Sequence, residues 1–294
     1  MRLDNLIAPK RWPWCDRGGR FSALRAGAFA IAVAPALWIA LALAAGWIAA
    51  EPLKQATHLS GTWTLYFLLG TLAVTPLMRL LAWSRLATIR RLLGVTAFAY
   101  VAGHLLLYIL SLDGNVVRAA SEIASRIYLT IGFTAVLGLA LLAATSFDGA
   151  IRRLRRNWKR LHKLVYPLTA LGLLHFYMQS KVDVSEPVLL SGIFVGLLLH
   201  RLAPRMLRAA ASIPAVLAVA VAAGLAAAAL EFAWYATMSG IPAERVLLSN
   251  LNFSYQVRPM WIVMAICALP VPVMLAKPLA TLLPCPAPRR RRAA

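Results

Sequence analysis

Long apolar runs separated by short, cation-rich turns dominate the chain. Stretches of about 18 residues or more, the length that crosses roughly 30 Å of hydrocarbon, occur near 22–50, 60–83, 92–112, 127–147, 164–180, 187–203, 211–238 and 257–283. They predict an all-α, polytopic transmembrane helix bundle, because helices satisfy their own backbone polar groups in lipid. Pro35, Pro76 and Pro167 fall in or at the ends of spans and predict kinks whose freed carbonyls neighbouring groups re-satisfy. The 211–238 span is rich in Ala, with almost no polar atom before Glu231, a composition that suits close helix packing. No internal repeat stands out, and no Gly-rich nucleotide loop follows a strand.

Composition agrees with a membrane protein: 61% of residues are hydrophobic, 14% are charged, and mean hydropathy is +0.72. A net charge of +21 would by itself suggest nucleic acid. Its distribution excludes that class. The arm to Arg25, the turns around Arg79–Arg91, Arg152–Lys163 and Arg201–Arg208, and the tail from Lys277 hold 25 of the 31 basic residues. The alternate turns hold only Lys54, Arg118, Arg126, Lys181, Arg245 and Arg258. By the positive-inside rule both termini are cytoplasmic, and the membrane lipid is the partner of the excess charge. The first apolar run, about 29 residues, is longer than a secretory h-region and reads as an uncleaved anchor. Cys15, Cys267 and Cys285 share no close spacing, so a CxxC redox pair, a zinc ribbon and a covalent haem motif are all absent.

Ionisable groups inside a bilayer are costly, which makes membrane histidines functional candidates. His104 and His175 lie inside spans, His162 opens the fifth span, and His58 and His200 are near span ends. His104 follows Arg91 by 13 residues and His175 follows His162 by the same number, about 20 Å of helical rise in each case. Both spans run outward, so His104 and His175 are level in the outer half, on two different helices. Facing neutral imidazoles are the usual axial pair for b-type haem iron, which helix bundles hold noncovalently. The position opposite His162 is level with Arg90 rather than a histidine. His162 therefore reads as a weak ligand, a haem-propionate or quinone contact, or an interfacial histidine.

Four segments carry a resemblance: GTWTLYFLLGTLAVTPLMRL at 61–80, IRRLLGVTAFAYVAGHLLLYIL at 89–110, RIYLTIGF at 126–133 and ATSFDGAIRRLRRNWKRLHKLVYPLTALGLLHFY at 144–177. Over about residues 20–205 the chain resembles the MsrQ (YedZ) family of haem-binding membrane subunits, within the ferric reductase-like transmembrane superfamily. The resemblance implies a six-helix core, here followed by two additional helices, in the bacterial inner membrane. It implies electron flow from the quinone pool, through haem b and FMN, to a periplasmic molybdopterin methionine sulfoxide reductase catalytic subunit that repairs oxidised proteins. His104, His162 and His175 match the family's haem-associated histidines. Arg90 and Arg91 match its paired arginines associated with flavin. Two guanidiniums at a helix start suit a phosphate, and they equally suit a positive-inside anchor.

The expected organisation is a cytoplasmic arm at 1–21, a haem-binding ferric reductase-like domain at 22–208, two extra transmembrane helices at 209–283 and a basic tail at 284–294. The resemblance does not reach the last third. Two other readings compete: a stand-alone ferric reductase-like cytochrome b with another donor or acceptor, and a non-haem transporter whose buried histidines relay protons.

Overall fold

A computed structural model describes residues 12–15, 19–48, 50–180, 183–207, 212–253 and 256–282. Most of the expected N-terminal arm and the whole basic tail lie outside the described residues. The described chain is helical, with one isolated bridge, Cys15 to Phe21, as its β feature. Seven of its helices are long and apolar enough to cross a membrane by length and composition. The chain is a multi-pass membrane protein.

Helix α1 spans Ala23–Ala44, α2 Pro52–Leu80 and α3 Arg90–Leu110. Helix α2 begins eight residues before the apolar pattern suggests. Its first turns carry Thr57, His58 and Ser60, which a hydropathy window rejects, yet Thr57 and Ser60 are buried. Their hydroxyls bond to the Leu53 and Thr57 carbonyls at 2.7 and 2.8 Å, which removes most of the cost of burying them. Glu51 caps the helix in the left-handed region and Pro52 stands at its first turn, where a missing N–H costs nothing.

A short helix, α4 (Val116–Ser125), lies in the loop before α5 (Ile127–Ala144). Glu122 anchors α4 by accepting from Arg118, Arg126 and Tyr108. The basic turn that follows folds as α6 (Asp148–Leu154) and α7 (Arg156–Leu161), then a 3-10 turn over His162–Leu164. Helix α8 (Val165–Gln179) has 15 residues and falls short of a full span by itself. Helices α9 (Ser185–Leu207) and α10 (Ile213–Met238) follow, then the short α11 (Ala243–Leu248). The last predicted span is broken at Leu269 into α12 (Pro259–Ala268) and α13 (Pro270–Leu282).

Two of the predicted proline sites have identifiable repairs. Pro76 leaves the Leu72 carbonyl without its helical donor, and Arg201 of α9 donates Nη2 to that oxygen at 2.8 Å. The Arg201 guanidinium also lies over the Tyr166 ring, 5.2 Å from its centroid. Beside Pro35, the Tyr100 hydroxyl enters the α1 ladder, accepting from the Ala36 N–H at 2.9 Å and donating to the Ala32 carbonyl at 2.8 Å. These bonds tie α1 to α3 and α2 to α9.

Apolar packing forms two clusters. One joins α1, α2, α3, α5, α8 and α9 through residues such as Leu68, Leu72, Val101, Leu139, Leu168 and Leu190. The other joins the end of α8 and the start of α9 to α10 and α12. Small residues let the second group approach closely: a Cβ on Gly192 would stand 2.6 Å from Val263 Cγ2, and one on Gly196 2.6 Å from the Cys267 sulfur. Glu231 of α10, 1% exposed, pairs with Arg258 at 2.7 Å and fastens the same group.

Candidate functional site

Helices α2, α3, α5 and α8 enclose a cavity of about 900 Å³, within the roughly 300–1,000 Å³ typical of cofactor sites. Its inner wall is apolar, with Leu65, Leu68, Val101, Leu139 and Leu168. Glu51, Lys54, His58, Tyr108, Arg126 and Gln179 line its opposite, polar end. His104 of α3 and His175 of α8 both project into it. The fold brings these two rings together, with centroids 6.3 Å apart.

Each imidazole is oriented by a neighbouring helix. His104 Nδ1 donates to the Thr57 carbonyl of α2 at 2.7 Å, and His175 Nδ1 donates to the Tyr128 carbonyl of α5 at 2.8 Å. A carbonyl oxygen only accepts, so Nδ1 carries the proton in both rings and Nε2 keeps its lone pair. This is the outer-shell arrangement that prepares a histidine for a metal. Glycine opposite each ring makes the approach possible. A Cβ on Gly61 would stand 2.9 Å from His104 Nδ1, and one on Gly132 2.8 Å from His175 Nδ1.

These residues fit an iron porphyrin. Two metal–imidazole bonds of about 2 Å, with a ring radius added at each end, span a separation of this size. Among the described residues no group of three or more His, Cys, Asp or Glu is placed to hold a bare metal ion. Two imidazoles are too few for a bare ion, and His104 and His175 would suit iron that a macrocycle already ligates.

The other three predicted residues lie elsewhere, and none lines the cavity. His162 stacks on Trp158 with centroids 4.0 Å apart, and its Nε2 is 3.4 Å from the Ser146 hydroxyl. Burial holds its imidazole below the ordinary histidine value. Arg91 pairs with Asp148, two residues beyond Ser146, so Arg91 and His162 meet the same turn at the arginine-rich end. Arg90 instead reaches the Met78 sulfur of α2 at 3.6 Å. The two arginines are therefore engaged on different neighbours and do not converge.

Sequence reasoning placed His58 only near a span end and passed over Gly61 and Gly132. In the fold His58 lines the cavity with the pair, and the glycines shape it. A signal was present. Each glycine precedes its histidine by the same interval, although hydropathy gives no reason to look for it.

Residues 60–173, which carry most of the cavity-lining helices, match the family described as the ferric reductase like transmembrane component. The methionine-sulfoxide reductase haem-binding subunit MsrQ of Xanthomonas campestris pv. campestris (strain 8004) is 45% identical over 160 residues, 54% of this chain and 73% of that protein. The MsrQ of Rhodospirillum rubrum is 40% identical over 196 residues, 66% of this chain and 91% of that protein. The chain belongs to the MsrQ family. No solved structure gives a significant match.

Proposed function

We propose that this chain is the haem b electron-transfer subunit of a methionine sulfoxide reductase system in the bacterial inner membrane. Both termini face the cytoplasm in this reading. Residues 22–208 form the haem-binding unit, 209–283 a two-helix addition, and 1–21 and 284–294 the cytoplasmic arm and tail. The quinone pool is the donor and a periplasmic molybdopterin catalytic subunit the acceptor, as the family resemblance implies. The relatives' name, a haem-binding subunit of protein-methionine-sulfoxide reductase, supports the system.

One observation carries the reading: two Nδ1-protonated imidazoles, 6.3 Å apart on different helices, inside a cavity of about 900 Å³. Haem bound there supplies a reversible one-electron centre. The chain's own contributions are specific. His104 and His175 would hold the iron through Nε2, the Thr57 and Tyr128 carbonyls fix both tautomers, and the leucine-lined inner wall excludes water. Lys54, His58 and Arg126 line the polar end, where Lys54 is paired with Glu51 and Arg126 with Glu122. His162 serves the arginine-rich end, where it either ligates a second haem or assists electron entry.

For FMN, Arg90 and Arg91 are the candidate phosphate ligands. The fold does not present them as a clamp, because Asp148 occupies Arg91 and Arg90 is turned to α2.

Replacing the histidines tests the reading by haem quantitation and by absorption and EPR spectra. His104→Ala or His175→Ala is expected to lose haem or convert low-spin iron to high spin. His162→Ala is expected to leave that signal in place. An unchanged low-spin signal in either of the first two variants refutes the pairing, and a purified protein without haem refutes the function.

A further inference from the structure

The supports of His104 and His175 are one device used twice. The set Thr57, Gly61, His104 recurs seventy-one residues later as Tyr128, Gly132, His175. In both sets carbonyl and histidine are 47 residues apart. The carbonyl belongs to the residue four before the glycine, so in a regular helix it also accepts the glycine's own N–H. What repeats is not apolar pattern but a small-residue gap beside a carbonyl, and the α2–α3 pair corresponds to the α5–α8 pair.

Each ring is consequently held by its own helix pair, independently of the other. The carbonyl bond fixes the Nδ1 edge, and the glycine lets that edge lie close to the helix backbone. Nothing in this device makes the rings parallel. Their planes meet at 89°.

We propose that the Thr57–Gly61 and Tyr128–Gly132 steps are positioning elements that lock the two axial imidazoles perpendicular to one another. The proposal rests on the reading that the pair binds haem. The consequence is electronic. Each imidazole π system mixes with the one iron dπ orbital perpendicular to its ring plane. Parallel rings act on the same orbital and split the dπ pair, whereas perpendicular rings act on one orbital each and leave the pair nearly degenerate. Ferric low-spin iron with a near-degenerate pair shows one strongly anisotropic low-field EPR line instead of a three-line rhombic spectrum. Outer-shell groups act here by orienting the ligands, not by replacing them.

The full-length protein in membranes provides the test. The oxidised wild type is expected to give the anisotropic low-field signal. Gly61→Ala and Gly132→Ala each put a Cβ within 2.9 Å of a ring atom, closer than ordinary contact, so the ring must turn or leave its carbonyl. Both variants are expected to retain the histidines yet shift the signal toward a rhombic or high-spin form and move the midpoint potential. Gly103→Ala is the control. It neighbours His104 in the chain, but its Cβ would meet nothing within 4 Å, so spectrum and potential stay as in the wild type.

A rhombic wild-type signal overturns the perpendicular lock while leaving haem binding intact. Unchanged spectra and potentials in both cradle variants overturn the positioning role. Absence of haem from the wild type, measured as the pyridine haemochrome, overturns the underlying ligand assignment instead. Where a cradle variant is made without haem, the wild-type spectrum alone decides.

Discussion

Glu231→Ala should loosen the two-helix addition without disturbing the haem-binding unit. Glu231 is 1% exposed and receives Arg258 Nη2 at 2.7 Å, while the Arg258 side chain is 16% exposed. Removing the carboxylate takes away the ion-pair partner of Arg258 and leaves Asp183, between α8 and α9, as its remaining acidic neighbour. Breaking a buried pair from one side costs about 3–5 kcal/mol, most of it the desolvation of the remaining charge. Glu231→Gln keeps the shape and an acceptor oxygen, so the loss should be about 1–3 kcal/mol. In the double variant Glu231→Ala with Arg258→Met the buried guanidinium goes as well, and part of the loss should return. Reversible unfolding in mixed micelles, followed by Trp fluorescence, reads the order directly, since Trp234 and Trp261 lie on α10 and α12. The haem spectrum should not change, because no residue beyond Gln179 lines the cavity. Strictly additive single and double variants, or a loss below about 1 kcal/mol for Glu231→Ala, would refute a role for this pair in tying α10 to α12.

Two further outcomes follow from charge. Reporter fusions after Ala210 and after Arg292 should both read cytoplasmic, since 25 of 31 basic residues fall in the arm, tail and turns assigned to that side; a periplasmic C-terminus would mean an odd number of spans. Because Arg90 and Arg91 engage different neighbours, any flavin that co-purifies with the protein should be retained in Arg90→Gln and in Arg91→Gln. Flavin lost from both variants would make the two arginines its phosphate site.

Hydropathy reveals where helices lie because the bilayer imposes length and polarity on every span separately, and here it recovered the bundle nearly element by element. It underestimated α2 for a physical reason. Thr57, Ser60 and Gly61 lower the apolar score, yet Thr57 and Gly61 are the residues that put a carbonyl and a gap beside His104. The level of His104 and His175 was also legible, since helical rise converts residue number into depth once the turns are assigned. Azimuth was not. Hydropathy does not say that α2 faces α3, or that α5 faces α8, and so it could not show which carbonyl meets which imidazole. The same limit explains the arginines: Arg90 and Arg91 are adjacent in sequence and near each other in depth, but consecutive helical positions point about 100° apart. That rotation sends one guanidinium to Met78 and the other to Asp148. Adjacency in a helix therefore argues against a shared ligand unless the chain unwinds or a neighbour supplies the second group, whereas equal intervals between glycine and histidine on separate helices argue for a shared construction. Of the two kinds of pattern, the second is the one this fold has turned into a site.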